Sequence, residues 1–159
     1  MKKKANIKTN AVRMVEKAKI PYQLHEYPWS EEHLDAFHVG QEMGVSLQQV
    51  YKTIVLKGDR VPYLVVCIAA DKEVDLKKVA KVSGNKRVEL FPLSDLEKVT
   101  GYVRGGCSPV GMKKHFPTYI ESSAKAQSSI RISAGKRGIQ MEINPLQLAE
   151  LTNATWFDN

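Results

Sequence analysis

The sequence predicts an α+β domain in which a mixed, largely antiparallel sheet forms a partial barrel surrounded by helices. Two observations lead there. Short alternating apolar runs recur from "YQLHEY" to "IQMEI", with turn residues between them. Short amphipathic helical segments interrupt these runs without the regular spacing of βαβ units. A chain of 159 residues, 43% of them hydrophobic, suits one domain spanning 1–159 with an adequate core.

Each element follows from its local pattern. Over 10–19, Ala11, Val12, Met14, Val15 and Ala18 recur at helical spacing, Arg13 and Lys17 turn outward, and Asn10 is the expected N-cap. Pro21 ends this helix, and "YQLHEY" follows as a strand. The second half of "SEEHLDAFHVGQEMG" reads as helix with Gly44 as its stop. "YKTIVLK" and "PYLVVCIAA", around a turn at 58–60, form the clearest hairpin and supply two central strands. In "DLKKVAKVSG", Leu76, Val79 and Ala80 share one face while Lys77, Lys78 and Lys81 share the other; Asp75 caps the start and Gly84 follows the end. "RVEL" reads as a short strand, "PLSDLEKVTG" as a short helix, and "GYV" as a strand entering a glycine loop. "TYIES", "SIRISAG" and "IQMEI" are further strands, the last two joined by "GKRG", and "PLQLAEL" is a Pro-started helix capped by Asn144.

Composition excludes several function classes. No apolar run approaches the roughly 18 residues of a membrane span, and the basic start "MKKKANIK" leads into no apolar segment of the secretory kind. The expectation is a cytoplasmic protein with no membrane association. Cys67 and Cys107 stand far apart without CxxC spacing, which predicts neither a disulfide nor a zinc site. His33 and His38 lie near Glu32 and Asp35, but their offset suits no single helical face, so neither a metal nor any other cofactor is expected. The net charge of +7 is uneven: residues 101–140 hold seven basic residues (Arg104, Lys113, Lys114, Lys125, Arg131, Lys136, Arg137) against one acid, Glu121. A solvated basic face would explain this, but its position beside a glycine loop favours a polyanion, RNA first.

That loop, "RGGCSPVGMKK" at 104–114, imitates two signatures and satisfies neither. Gly106 and Gly111 have P-loop spacing, but Met112 stands where the lysine must be. Ser108 has Gly106 two residues before it but Val110 two after, so the nucleophile elbow also fails. Cys107 in basic surroundings could be a nucleophile, though no acid–base partner lies at a recognisable spacing. What remains is a backbone role, in which successive N–H groups cradle an oxyanion or carbonyl, set against a plain tight connection. Lys52, near the start of an apolar strand, is either a cation drawn into a cleft or an edge-strand gatekeeper.

Taken together, "VYKTIVL" at 50–56, "DLKKVAKVSG" at 75–84, "GYVRGGCSPVGMKKHFP" at 101–117 and "ISAGKRGIQMEI" at 132–143 resemble the YbaK/EbsC family of aminoacyl-tRNA deacylases, relatives of the editing domain inserted in bacterial prolyl-tRNA synthetases. The resemblance covers essentially the whole chain. It implies a free-standing enzyme that removes cysteine mistakenly attached to proline tRNA, with proline tRNA, and cysteine tRNA beside it, as partners and prolyl-tRNA synthetase as a candidate docking partner. It implies catalytic roles for Lys52, Gly105 and Gly106, and substrate contacts from Tyr27, Thr53, Cys107, Ser108, Pro109, Ser133 and Gln140. Arg104, Lys113, Lys114, Lys136 and Arg137 would meet RNA phosphates. With no nucleophile–base pair visible, the substrate's own thiol would attack its ester and leave as a thiolactone. Gln140 stands where relatives carry Asp, removing a carboxylate contact to the substrate's amino group. Residues 28–43 match loosely, and Phe37 or Val39 would shape the pocket. A non-catalytic RNA-binding module, and a deacylase for alanine or another small residue using water, are the competing readings.

Overall fold

In the computed structural model, which describes residues 8–32 and 35–159, helix α1 spans Asn10–Lys17. His33 lies outside the described residues. The N-cap of α1 is Thr9 rather than Asn10: its hydroxyl accepts the Val12 amide at 3.1 Å and donates to the Ala134 carbonyl, tying the helix start to a distant strand end. Strand β1 spans Tyr22–Glu26, and α2 spans Ala36–Met43, capped by Asp35 and stopped by Gly44 at φ 69°. The expected hairpin follows as β2 (Tyr51–Gly58) and β3 (Tyr63–Ala69). Its turn is held from outside: Asn85 Oδ1 accepts the amides of Arg60 and Val61, each at 2.7 Å. Helix α3 (Leu76–Ser83) has the predicted Asp75 cap and Gly84 stop, and leads to β4 (Val88–Leu90). A 3₁₀ turn over Leu93–Asp95 runs into α4 (Leu96–Thr100).

The predicted "GYV" strand does not form. Gly101 is the left-handed stop of α4 at φ 88°, and the Tyr102 hydroxyl then donates to the Val110 carbonyl at 2.6 Å, folding the segment across its own loop instead of along a sheet edge. Further on come β5 (Thr118–Glu121), a 3₁₀ segment (Ser122–Ala126), β6 (Ile130–Ser133), β7 (Ile139–Ile143), the Asn144-capped α5 (Pro145–Thr152) and β8 (Thr155–Phe157). The last strand was not foreseen in the sequence.

The strands form two sheets. One is antiparallel in the order β1-β7-β6, and the other is mixed in the order β4-β2-β3-β5-β8, with β3, β5 and β8 parallel. The α+β class and the largely antiparallel, mixed pairing are as expected, and the sheets do not close into a complete barrel. A single parallel bridge between Val50 and Arg131 joins the two sheets, and the Arg131 amide donates to the Gln49 carbonyl at 2.8 Å. Beyond that bridge β2 and β6 separate, and polar side chains occupy the split.

Alternation explains why. On β6, Ile130 and Ile132 are fully buried in a core cluster with α1, α5, Met141 and Ile143, whereas Arg131 and Ser133 turn to the other face. The register places Gln140 between Ser133 on one side and His25 on the other, and Arg131 opposite Glu142. The small sheet thus has one apolar face against its helices and one polar face against β2. A second cluster of Leu56, Leu64, Val66, Ile68 and Val79 packs the larger sheet on α3. Among the described residues, no helix is long and apolar enough to cross a membrane.

Candidate functional site

The split between the sheets is a cavity of about 290 Å³. Its walls come from four places: Val50 and the start of β2 with Lys52 and Thr53, the polar face of β6 and β7 with Arg131, Ser133 and Gln140, the first turn of α2 with Val39, and Arg104, Gly105 and Cys107 of the glycine loop. Tyr27, just after β1, closes one side. Residues separated by more than a hundred positions are therefore gathered by two strand edges that diverge after one bridge.

Of the sequence-predicted residues, Lys52, Tyr27, Thr53, Arg104, Gly105, Cys107, Ser133 and Gln140 line this cavity. Lys52 is half-buried, and the Ser133 hydroxyl accepts the Gly135 amide at 3.1 Å, which leaves its own O–H free of that bond. Tyr27 is anchored by its backbone N–H to the Gly138 carbonyl at 2.9 Å, and burial raises its phenol pKa. Gln140 is buried, with its carbonyl oxygen 3.4 Å from the Arg131 guanidinium. Val39 lines the cavity, whereas Phe37 packs edge-on against His38.

Other predicted residues stand elsewhere. Gly106 does not face the cavity: its amide donates to the Val103 carbonyl at 2.9 Å, so that N–H is spent within the loop. A Cβ there would come within 3.1 Å of the Arg137 amide nitrogen, so this glycine serves close packing of the loop on the 135–138 turn. Ser108 is fully buried with its hydroxyl accepting the Val110 amide at 3.2 Å. Pro109 and Lys114 line a separate hollow of about 70 Å³, beside Met14 and Phe116. The Lys113 ammonium donates to the Lys98 carbonyl at 3.2 Å. Lys136 is exposed on the turn, while Arg137 is tied down: its Nε donates to the Arg104 carbonyl at 2.8 Å and its guanidinium lies 5.3 Å over the Trp29 ring. Gly105 and Cys107 line the cavity, and their amides form no hydrogen bond among the described residues.

Burial disfavours a thiolate at Cys107. Burial pushes its thiol up to about 12, with the Thr100 hydroxyl only partly opposing, so at neutral pH it stays protonated. Cys67, wholly buried, is raised to about 12 for the same reason.

Sequence reasoning counted Arg131 merely as part of a basic stretch. Yet the alternation in "SIRIS" already sets Arg131 and Ser133 on one face of β6, and that face lines the cavity. Behind it, Glu142 is held by Ser129 and by His25 at 2.8 Å. Its carboxyl pKa is lowered, first by the Ser129 hydrogen bond, then by His25, with Arg131 adding charge.

Comparison with known proteins settles the lineage. A model of the aminoacyl-tRNA editing domain matches residues 32–151. The chain belongs to the aminoacyl-tRNA editing domain family. A relative from Enterococcus faecalis, named as the Cys-tRNA(Pro)/Cys-tRNA(Cys) deacylase EbsC, is 51% identical over 152 residues, covering 96% of this chain and 93% of its own. Solved structures share the fold: that of protein APE2540 superposes with a TM-score of 0.85 at 19% identity, over 94% of this chain and 98% of its own. Another, described as a trans-editing enzyme for prolyl-tRNA synthetase, gives 0.79 at 21% identity, over 96% and 98%. In this editing-domain protein the cavity is bounded by "VYKTIVL", "GYVRGGCSPVG" and "ISAGKRGIQ", the same segments that carry the resemblance read from the sequence.

Proposed function

We propose that this editing-domain protein is a free-standing deacylase that cleaves the ester of cysteine mischarged on proline tRNA. The observation that carries the reading is a cavity of about 290 Å³, lined by Lys52, whose only described thiol is held protonated. No histidine stands among its described lining residues. The attacking group is then supplied by the substrate. Its sulfur attacks its own ester carbonyl, a C–S bond forms, the bond to the tRNA 3′ oxygen breaks, and the thiol proton ends on that oxygen. Water afterwards opens the thiolactone. Intramolecular attack by a well-placed group reaches effective molarities of about 10⁵ M or more, so positioning suffices. The Gly105 and Cys107 amides receive the carbonyl oxygen as it becomes negative. Lys52 holds the terminal ribose or phosphate, or favours the departing oxygen. The exposed Arg104 and Lys136 meet the RNA backbone near the mouth, in the compartment where charged tRNA is found, the cytoplasm. Prolyl-tRNA synthetase is the docking partner in this reading, supported by the likeness to a trans-editing enzyme for that synthetase.

The test is incubation with Cys-charged and Ala-charged proline tRNA, with and without prolyl-tRNA synthetase. Rapid loss of the cysteine ester, sparing alanine, is expected. Loss of alanine but not cysteine would discard the thiol route, and tRNA binding with neither ester lost would leave a binding module.

A further inference from the structure

Arg131 is the one side chain among the described residues with a buried polar nitrogen and no partner: its Nε makes no hydrogen bond. Such a group is costly to leave unpaired, and it recurs at sites that a ligand completes. Its other contacts are weak. One terminal nitrogen is 3.4 Å from the Gln140 carbonyl oxygen and the other 4.0 Å from Glu142, whose carboxylate is already engaged by Ser129 and His25. The guanidinium lines the cavity together with Lys52 and Arg104, and the one carboxylate in the described lining, Asp35, is bonded to His38. At position 140 a neutral amide, not a carboxylate, faces Arg131, so Glu142 at 4.0 Å is its nearest described countercharge.

We propose that the Arg131 guanidinium binds the sulfur of the cysteinyl substrate as its thiolate, making the nucleophile in place. This rests on the cysteinyl-ester reading above. Binding releases the thiol proton to solvent, and the thiolate on Arg131 then attacks the carbonyl carbon, forming the C–S bond. The C–O bond breaks, and the 3′ oxygen takes a proton from water or Lys52. The arrangement rewards anionic sulfur and gives nothing to a methyl or hydroxymethyl side chain, so it is also a specificity device. The nearby neutral acids stay out of the way, because burial raises Tyr27, Tyr51 and Cys107. Glu142 is lowered and ionised throughout. His25, behind Glu142, is the remaining titratable side chain in contact with this network.

The experiment is single-turnover cleavage of Cys-tRNA(Pro) and Ser-tRNA(Pro) between pH 6 and 9.5 by the wild type, Arg131→Gln and Arg131→Lys, with folding checked by thermal melting. An ordinary cysteine thiol titrates near about 8.5. The wild type is expected to show an acid limb at least about one unit lower, with the cysteine ester only. Arg131→Gln should move that limb up by about one unit or more, losing roughly tenfold in rate at pH 6.5 and recovering above pH 9. Arg131→Lys, which keeps the charge, should hold the limb near the wild-type position. A uniform loss at every pH, an unchanged limb in Arg131→Gln, or equal losses on the serine ester would overturn the assignment while leaving the deacylase reading intact. A limb present with both esters would belong to the protein and not to the substrate thiol, and would overturn it too. If wild type spares the cysteine ester altogether, both readings fall.

Discussion

The chemistry of single residues separates two groups that the sequence set side by side. Lys52 and Cys107 both line the cavity, but only the lysine has a charge to offer, since the thiol stays protonated at neutral pH. Lys52→Ala is expected to slow deacylation by about 10²-fold or more, the scale of losing one electrostatic contact in a transition state. Its melting temperature should stay near the wild-type value, because the side chain is half-exposed. Cys107→Ala should stay within about threefold of wild type, the range of a mutation that touches no special feature. A dead but folded Cys107→Ala protein would restore the nucleophile that burial argues against.

Among the elements, the glycine loop is held by packing on both sides. Gly111 has φ 80°, and a Cβ there would approach Asn10 C at 2.8 Å and Ala11 N at 2.9 Å at the start of α1. Gly111→Ala therefore combines a left-handed backbone with a clash against main chain. A loss of about 2–4 kcal/mol in denaturant unfolding is expected, and an unchanged midpoint would show that the loop can leave the helix freely. The polar face of the β1-β7-β6 sheet behaves differently. Glu142 has a folded-state pKa below its unfolded one. Its contribution is thus fully present above the ordinary Glu value of about 4.3 and is lost as pH falls through the lower folded-state value. Ser129→Ala, which removes the largest cause of that lowering, should cost about 1 kcal/mol at pH 7 and close to nothing well below pH 4. An equal cost at both pH values would mean that the serine acts through packing.

Over the whole molecule, charge is the feature expected to direct tRNA. Lys136 is exposed on the turn that packs against the glycine loop. Lys136→Gln is expected to flatten the plot of log affinity for tRNA against log salt by about 0.7–0.9, one released counterion. Lys77→Gln, on the exposed face of α3, should leave the slope unchanged. Equal slopes for both variants would place the RNA elsewhere.

Local signals made most elements legible. Asp75, Asn144, Gly44 and Gly84 mark helix ends through bonds made within a few residues, and each acts as read. Where the deciding contact is distant, local reading failed. Thr9 displaced Asn10 as the cap because it also reaches Ala134, and "GYV" lost its strand because Tyr102 bonds Val110. The site followed the same division. Lys52, Ser133 and the glycine loop carry motifs that a sequence can display, whereas Arg131 stood out only once the Val50 bridge had brought β6 against β2.

Determined by the sequence itself are the α+β class, the basic segment over 101–140, the absence of a nucleophile–base motif and the likeness to editing domains, since composition, period and motif are properties of the chain alone. Only the tertiary structure decided that the two sheets diverge instead of closing a barrel, that the Gly106 amide is spent on Val103, and that Arg131, with a buried unpartnered Nε, lines the cavity. The physical reason is that hydrogen-bond satisfaction and burial depend on which groups meet in space, and here the partners lie as far apart in the chain as Val50 and Arg131.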